Sequence, residues 1–210
     1  MERMGGVQLM KRGLIITGLV AVSMLAVGGC GASESSEPAT DGAPSATTES
    51  SDGTLTVGTA PTIDGASPFS TDGVTVQVPE GWVTDRTEES GIVQVLVYDP
   101  ADQLNPVAIT VSSEASDEAV NVQSDVTWTQ LGSAGVSELA RHTVEWPAWA
   151  YATGITGVVE RDGGETSTFV SVSARDQAET VMVSVSAQTG EDDLEQSLQY
   201  QVLQTVEPAS

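Results

Sequence analysis

The chain has 210 residues, of which 30 are acidic and seven basic, for a formal charge of −23. A surface this acidic repels polyanions, which argues against nucleic acid, anionic lipid head groups and phosphate-rich ligands as partners. A single cysteine and a single histidine exclude an internal disulfide and leave little material for a zinc site.

Residues 1–29 read as a removable export signal. Arg3, Lys11 and Arg12 precede an uncharged apolar run from Gly13 to Val27. The run is short for a membrane span, which needs roughly 20 apolar residues. A basic start, a short apolar core and small residues at its end mark a secretory signal. The run closes on Val27-Gly28-Gly29-Cys30, which resembles the lipobox of bacterial lipoproteins. That resemblance implies a lipid thioether on Cys30, cleavage before it, and anchoring on the outer face of the cell membrane. Stable anchoring takes two or more acyl chains, each methylene contributing roughly 0.8 kcal/mol. Without the signal, the basic residues left are Arg86, Arg141, Arg161 and Arg175, with no lysine.

Residues 30–66 form the next unit: the lipidated cysteine and a stretch dominated by Ser, Thr, Ala, Gly, Pro, Asp and Glu. Such a composition buries too little apolar surface to offset chain entropy, which predicts a disordered tether. A flexible chain of about 35 residues has a root-mean-square reach of roughly 30–35 Å.

From residue 67 to 210 the pattern is that of one folded domain. Val74, Val76 and Val78 alternate with polar residues as a strand. Pro79-Glu80-Gly81-Trp82 predicts a turn. Ile92–Tyr98 is almost continuously apolar, which predicts a strand buried on both faces. Val107, Ile109 and Val111 mark another strand. From Ser116 to about Leu131 the alternation breaks, and Val120, Ser124, Trp128 and Leu131 fall at helical spacing, as one or two short helices. Glu138–Glu145 and Trp149–Glu160 are strands, and Asp162-Gly163-Gly164 is a hairpin signal. Thr168–Arg175 and Thr180–Gln188 alternate again. Leu194, Leu198 and Val202 then recur every fourth residue after an acidic opening, Glu191-Asp192-Asp193, as expected for a helix. The sum is an α+β domain of about seven strands in an antiparallel sheet packed with helices, long enough to bury one core.

Several short segments resemble the LpqN/LpqT-type lipoproteins of actinobacteria, whose domain is a Mog1/PsbP-like α/β/α sandwich. Gly73-Val-Thr-Val-Gln-Val-Pro-Glu-Gly-Trp82 is similar to that family's first hairpin. Ile92–Asp99 with Pro106–Ser113 resembles its next strand pair. Thr143-Val-Glu-Trp-Pro-Ala-Trp149 sits where the family turns back after a strand. Val181–Gln188 and the segment ending Val202-Leu203-Gln204-Thr205-Val206 are like its last strand, helix and tail. The likeness spans about residues 69–207. It implies an accessory, assembly or binding protein and supplies no catalytic residues to carry over; a shared fold is itself a weak warrant for function.

The residues offer little chemistry. His142 is the one histidine and lies by alternation on a strand face with Ala140, Val144 and Trp146. No serine elbow accompanies it to build a hydrolytic triad. Glu191-Asp192-Asp193-Glu195 is the densest acidic cluster, and a solvated helix start explains it better than a calcium loop. Paired glycosidase carboxylates would be distant in sequence and escape notice. No catalytic, metal or cofactor residue is therefore assigned. Aromatic residues say more. Trp149 shares a parity with Tyr151, Ile155 and Val159 and reads as core, with Trp82. Trp146 has the other parity, beside Pro147, and Phe169 lies among serines; these two are the candidates for partner or ligand contact.

The reading that follows is a membrane-anchored envelope lipoprotein with a non-catalytic binding or assembly domain, whose partner is an envelope or surface protein. A carrier holding an apolar ligand such as a lipid between sheet and helix is the alternative, and an enzyme with dispersed acidic residues is the third. A large apolar cavity would favour the carrier, a filled core with exposed aromatics the partner binder, and two facing carboxylates of raised pKa the enzyme.

Overall fold

Strand alternation, which places every second side chain on one face, builds most of this molecule. A computed structural model describes residues 53–160, 164–190 and 194–209. The signal segment, Cys30 and residues 31–52 of the expected tether lie outside the described residues, as do Asp162-Gly163 and Glu191-Asp192-Asp193.

The strands are β1 (Gly53–Thr56), β2 (Ser67–Thr71), β3 (Val74–Val78), β4 (Val83–Glu89), β5 (Ile92–Tyr98) and β6 (Val107–Ser112). Helix α1 (Asp117–Ser133) follows, then β7 (Ser137–Glu145), β8 (Tyr151–Glu160), β9 (Thr166–Arg175), β10 (Met182–Thr189), helix α2 (Leu198–Gln204) and the short β11 (Glu207–Pro208). Eight strands form the main sheet in the order β1-β7-β8-β9-β10-β6-β5-β4, and β11-β3-β2 form a second, small sheet. Pairing in the main sheet is antiparallel except between β1 and β7.

The main sheet lies between two layers. One face carries Val93, Val95 and Val97 of β5, Ile109 of β6, Val170 and Val172 of β9, and Val183 and Val185 of β10, packed against Val74 and Val76 of β3 and Tyr200, Val202 and Leu203 of α2. The opposite face receives α1. This is the α+β sandwich that the sequence led us to expect, with a small sheet added to the α2 layer.

Helix α1 is one unbroken element of 17 residues, not two pieces. Ser116 caps it by accepting from the Ala119 amide at 3.1 Å, and Asp117 and Glu118 fill the first turn, satisfying orphan amides and complementing the positive end. Its buried residues include Gln123 and Ser124 beside Val120 and Leu131. They cover a sheet face that itself presents Ser171, Ser173, Ser184 and Thr110, all buried. A helix laid on hydroxyls needs no continuous apolar stripe.

Three other expectations change, and one stretch with no predicted element is a strand. Residues 53–66, read as tether, belong to the fold. β1 extends the sheet beside β7, Val57 is wholly buried, and its amide donates to the Glu145 carbonyl at 2.9 Å. β4, Val-Thr-Asp-Arg-Thr-Glu-Glu, is a strand with almost every residue exposed, because it is a sheet edge and edges are kept charged. β5 is buried on one face and half-covered on the other, not buried on both. Helix α2 begins at Leu198 with Ser197 as its cap and no acidic residue in its first turn; Leu194–Gln196 is a separate 3-10 turn. The turn at Pro79–Trp82 forms as expected, with Gly81 at φ 83° and the Trp82 amide donating to Pro79.

A polar cleft beside the sheet edge as the candidate functional site

Where β1 ends the sheet, helix α1 stands over β7 and β8 and leaves an open cleft of about 730 Å³. Parity decides which side chains enter it. Val144 faces the α2 layer, so Arg141 and Thr143 on β7 face α1; Ile155 and Val159 pack beneath α1, so Tyr151 and Thr153 on β8 share that face. The helix contributes Asn121, Ser124 and Asp125, and β1 contributes Gly53 and Thr54. Asn121 and Asp125 are four residues apart, hence on one side of the helix. Gly154 on β8 keeps the edge closed beneath, since a side chain there would meet Val144 at 2.7 Å and Leu55 at 3.3 Å.

The polar groups of the cleft are largely tied to each other. Arg141 pairs with Asp125 at 2.5 Å, and its guanidinium stacks on the Trp128 ring, 4.8 Å from the centroid. The Tyr151 hydroxyl donates to Asn121 Oδ1 at 2.9 Å. His142 and Thr156 alternate to the other face of the sheet, the face of Val144, where the His142 ring nitrogen Nε2 lies 2.8 Å from the Thr156 hydroxyl. Thr153 Oγ1 is buried and has no hydrogen-bond partner among the described residues. Among the described residues no group of three or more His, Cys, Asp or Glu is placed to hold a metal ion, and no helix is long and apolar enough to cross a membrane.

The two aromatic residues proposed from sequence are not brought together. Trp146 is 4% exposed and Trp149 7%; both lie in the same core, their ring centroids 5.6 Å apart. The expectation of a surface Trp146 fails because parity does not carry across Trp146-Pro147-Ala148-Trp149. That segment is a turn, closed by the Trp149 amide on the Trp146 carbonyl at 2.9 Å, and both rings fold to the α2 side. Trp149 accordingly leaves the face of Tyr151, Ile155 and Val159 that its number suggested. Phe169 sits on the opposite side of the sheet, half-buried against Leu131, Ile155 and Trp128. Trp82 packs on the main core. Among the described large apolar residues only Val83, Leu104 and Val122 are exposed, far apart along the chain. The space between sheet and α2, where an apolar ligand would have lain, is filled by the valine and leucine side chains of the main core.

The cleft residues left little trace in the sequence. The sequence assigns no role to Asn121, Asp125 or Arg141. Only the helix-and-strand layering places residues 16 apart, Asp125 and Arg141, in contact.

No family model and no curated protein matches the chain. Similar solved structures include a cyanobacterial PsbP from Synechocystis sp. PCC 6803, 15% identical, covering 70% of this chain and 95% of that one, with a TM-score of 0.46. They also include LpqN of Mycobacterium tuberculosis, described as involved in cell envelope biogenesis, 15% identical, covering 69% and 91%, with a TM-score of 0.38. A third, from Bacteroides thetaiotaomicron, is 12% identical with a TM-score of 0.47; the match covers 70% of this chain and spans about half, 49%, of that protein. The PsbP-like and LpqN-like proteins that the sequence resembles are thus among its structural neighbours.

Proposed function

We propose that this chain is an envelope lipoprotein, held on the outer face of the cell membrane through Cys30, whose folded domain binds and does not catalyse. The observation that carries the second half is the internal pairing of the cleft. Asp125 is engaged by Arg141 and Asn121 by Tyr151, an arrangement that fixes hydrogen-bonding groups in place. A nucleophile with its base, or two carboxylates facing one another, would instead be poised to react. The first half rests on the basic start, the short apolar core and Val27-Gly28-Gly29-Cys30. The partner or ligand is reached from the extracytoplasmic side, and a lipid anchor needs no spanning helix.

Growth of the producing cells with a clickable fatty acid tests the anchor. The wild-type chain takes up label and sediments with membranes, whereas Cys30→Ser is unlabelled and soluble. A Cys30→Ser protein that remains acylated and membrane-bound overturns the reading.

A further inference from the structure

The cleft between α1 and the β1–β7–β8 edge has properties that select a class of ligand. Its volume, about 730 Å³, lies in the range of about 300–1,000 Å³ typical of small-molecule sites. Its lining is electrically balanced, with one carboxylate and one guanidinium paired at 2.5 Å, on a chain of formal charge −23. A cationic ligand would have to compete with Arg141 for Asp125. An anionic one would approach against the field of the whole surface. A neutral ligand meets neither obstacle.

The free valences point the same way. Asn121 spends its carbonyl oxygen on Tyr151 and keeps both amide hydrogens. Asp125 spends Oδ1 on Arg141, leaving Oδ2 as an acceptor, and Arg141 meets it through one terminal nitrogen. Both side chains of that pair retain substantial exposure, 66% and 41%. Thr143 stands exposed at the rim. Planar donors and acceptors interleaved with hydroxyls match a ligand that presents several adjacent hydroxyl groups, each both donor and acceptor. Trp128 is occupied on one face by Arg141 and serves to hold that guanidinium in position.

We propose that this cleft binds a neutral saccharide unit, with Asn121, Asp125 and Arg141 contacting its hydroxyls. The proposal rests on the domain being a binding module and is independent of the lipid anchor. The full chain, in detergent, is titrated with a panel of neutral mono- and disaccharides, and with glucuronate and glucosamine as charged counterparts, followed by amide NMR shifts and calorimetry. Saturable binding of at least one neutral sugar is expected, with shifts centred on 121–125, 141–143 and 151–153. Asp125→Ala and Arg141→Ala each weaken it about tenfold or more, since a hydrogen bond to a charged group is at stake. Thr143→Tyr fills the cleft from an exposed position and blocks binding without lowering the melting temperature. Cys30→Ser binds like the wild type, so loss of anchoring and loss of sugar binding are told apart. No binding by any neutral sugar, preference for a charged one, or undiminished binding by Thr143→Tyr overturns the proposal.

Discussion

The indole nitrogen of Trp149 donates a 3.0 Å hydrogen bond to the carbonyl of Val206, tying the turn before β8 to the tail that leaves α2. Three residues earlier, the indole nitrogen of Trp146 is buried with no acceptor. Two tryptophans in one core thus differ in whether their polar edge is satisfied.

The contrast gives the first prediction. Trp149→Ala and Trp146→Ala should each lower stability by roughly 3–5 kcal/mol, as large core truncations do. Trp149→Phe strands the Val206 carbonyl and should cost about 1–3 kcal/mol beyond lost volume, a term absent from Trp146→Phe. Urea denaturation of the four variants reads the difference; equal losses for the two Phe variants would remove the hydrogen bond from the account.

Residues 53–57 act as part of the domain. The Gln204 side-chain amide donates to the Val57 carbonyl, the Tyr200 hydroxyl lies 3.5 Å from the Thr56 carbonyl, and Val57 is fully buried. A chain starting at residue 53 should melt like the full-length protein. One starting at 58 should lose at least about 2 kcal/mol, because burial of a valine alone contributes roughly 1.5–3 kcal/mol. Indistinguishable thermal melts would return this segment to the tether.

Tyr200 makes stability depend on alkaline pH. Burial, with the nearby Glu195 charge adding to it, pushes its hydroxyl up to about 12. The folded state therefore favours the neutral phenol. Its contribution is complete below the unfolded value near 10 and declines as pH rises from there through about 12. Tyr200→Phe should flatten the decline in melting temperature over that window while changing little at pH 7. A slope that survives the substitution would assign it to other groups.

Asp176 acts at the other end of the scale. Burial pushes its carboxyl up, but the Thr180 hydroxyl at 2.7 Å and the Val181 and Thr180 amides at 3.1 and 2.7 Å outweigh that, and the net shift is downward. A lowered folded pKa stabilises above the unfolded value near 3.9 and is lost as pH falls through the folded one. Asp176→Ala should cost about 1.5–3 kcal/mol at neutral pH, and its deficit against the wild type should shrink below about pH 4. A deficit constant with pH would show that packing, not charge, is what the aspartate supplies.

The sequence by itself determined the features that depend on neighbours along the chain. Alternation placed β3, β6, β9 and β10, because a period of two follows from the pleat itself, and a near-continuous apolar run placed β5. The Pro79–Trp82 turn followed from a glycine able to take positive φ, and the α+β architecture from the order of the elements. Tertiary structure decided what depends on a partner far away. β1 is a strand only because β7 offers an edge to Gly53–Thr56; its own composition is that of a linker. β4 carries no apolar alternation to read, because an edge strand needs no apolar face. Trp146 went to the core because a four-residue turn, closed by a backbone hydrogen bond, breaks the parity on which its exposure was argued. The cleft itself belongs wholly to this second kind: a helix resting on serines brings Asp125 within 2.5 Å of Arg141, and no periodicity in either segment encodes that meeting.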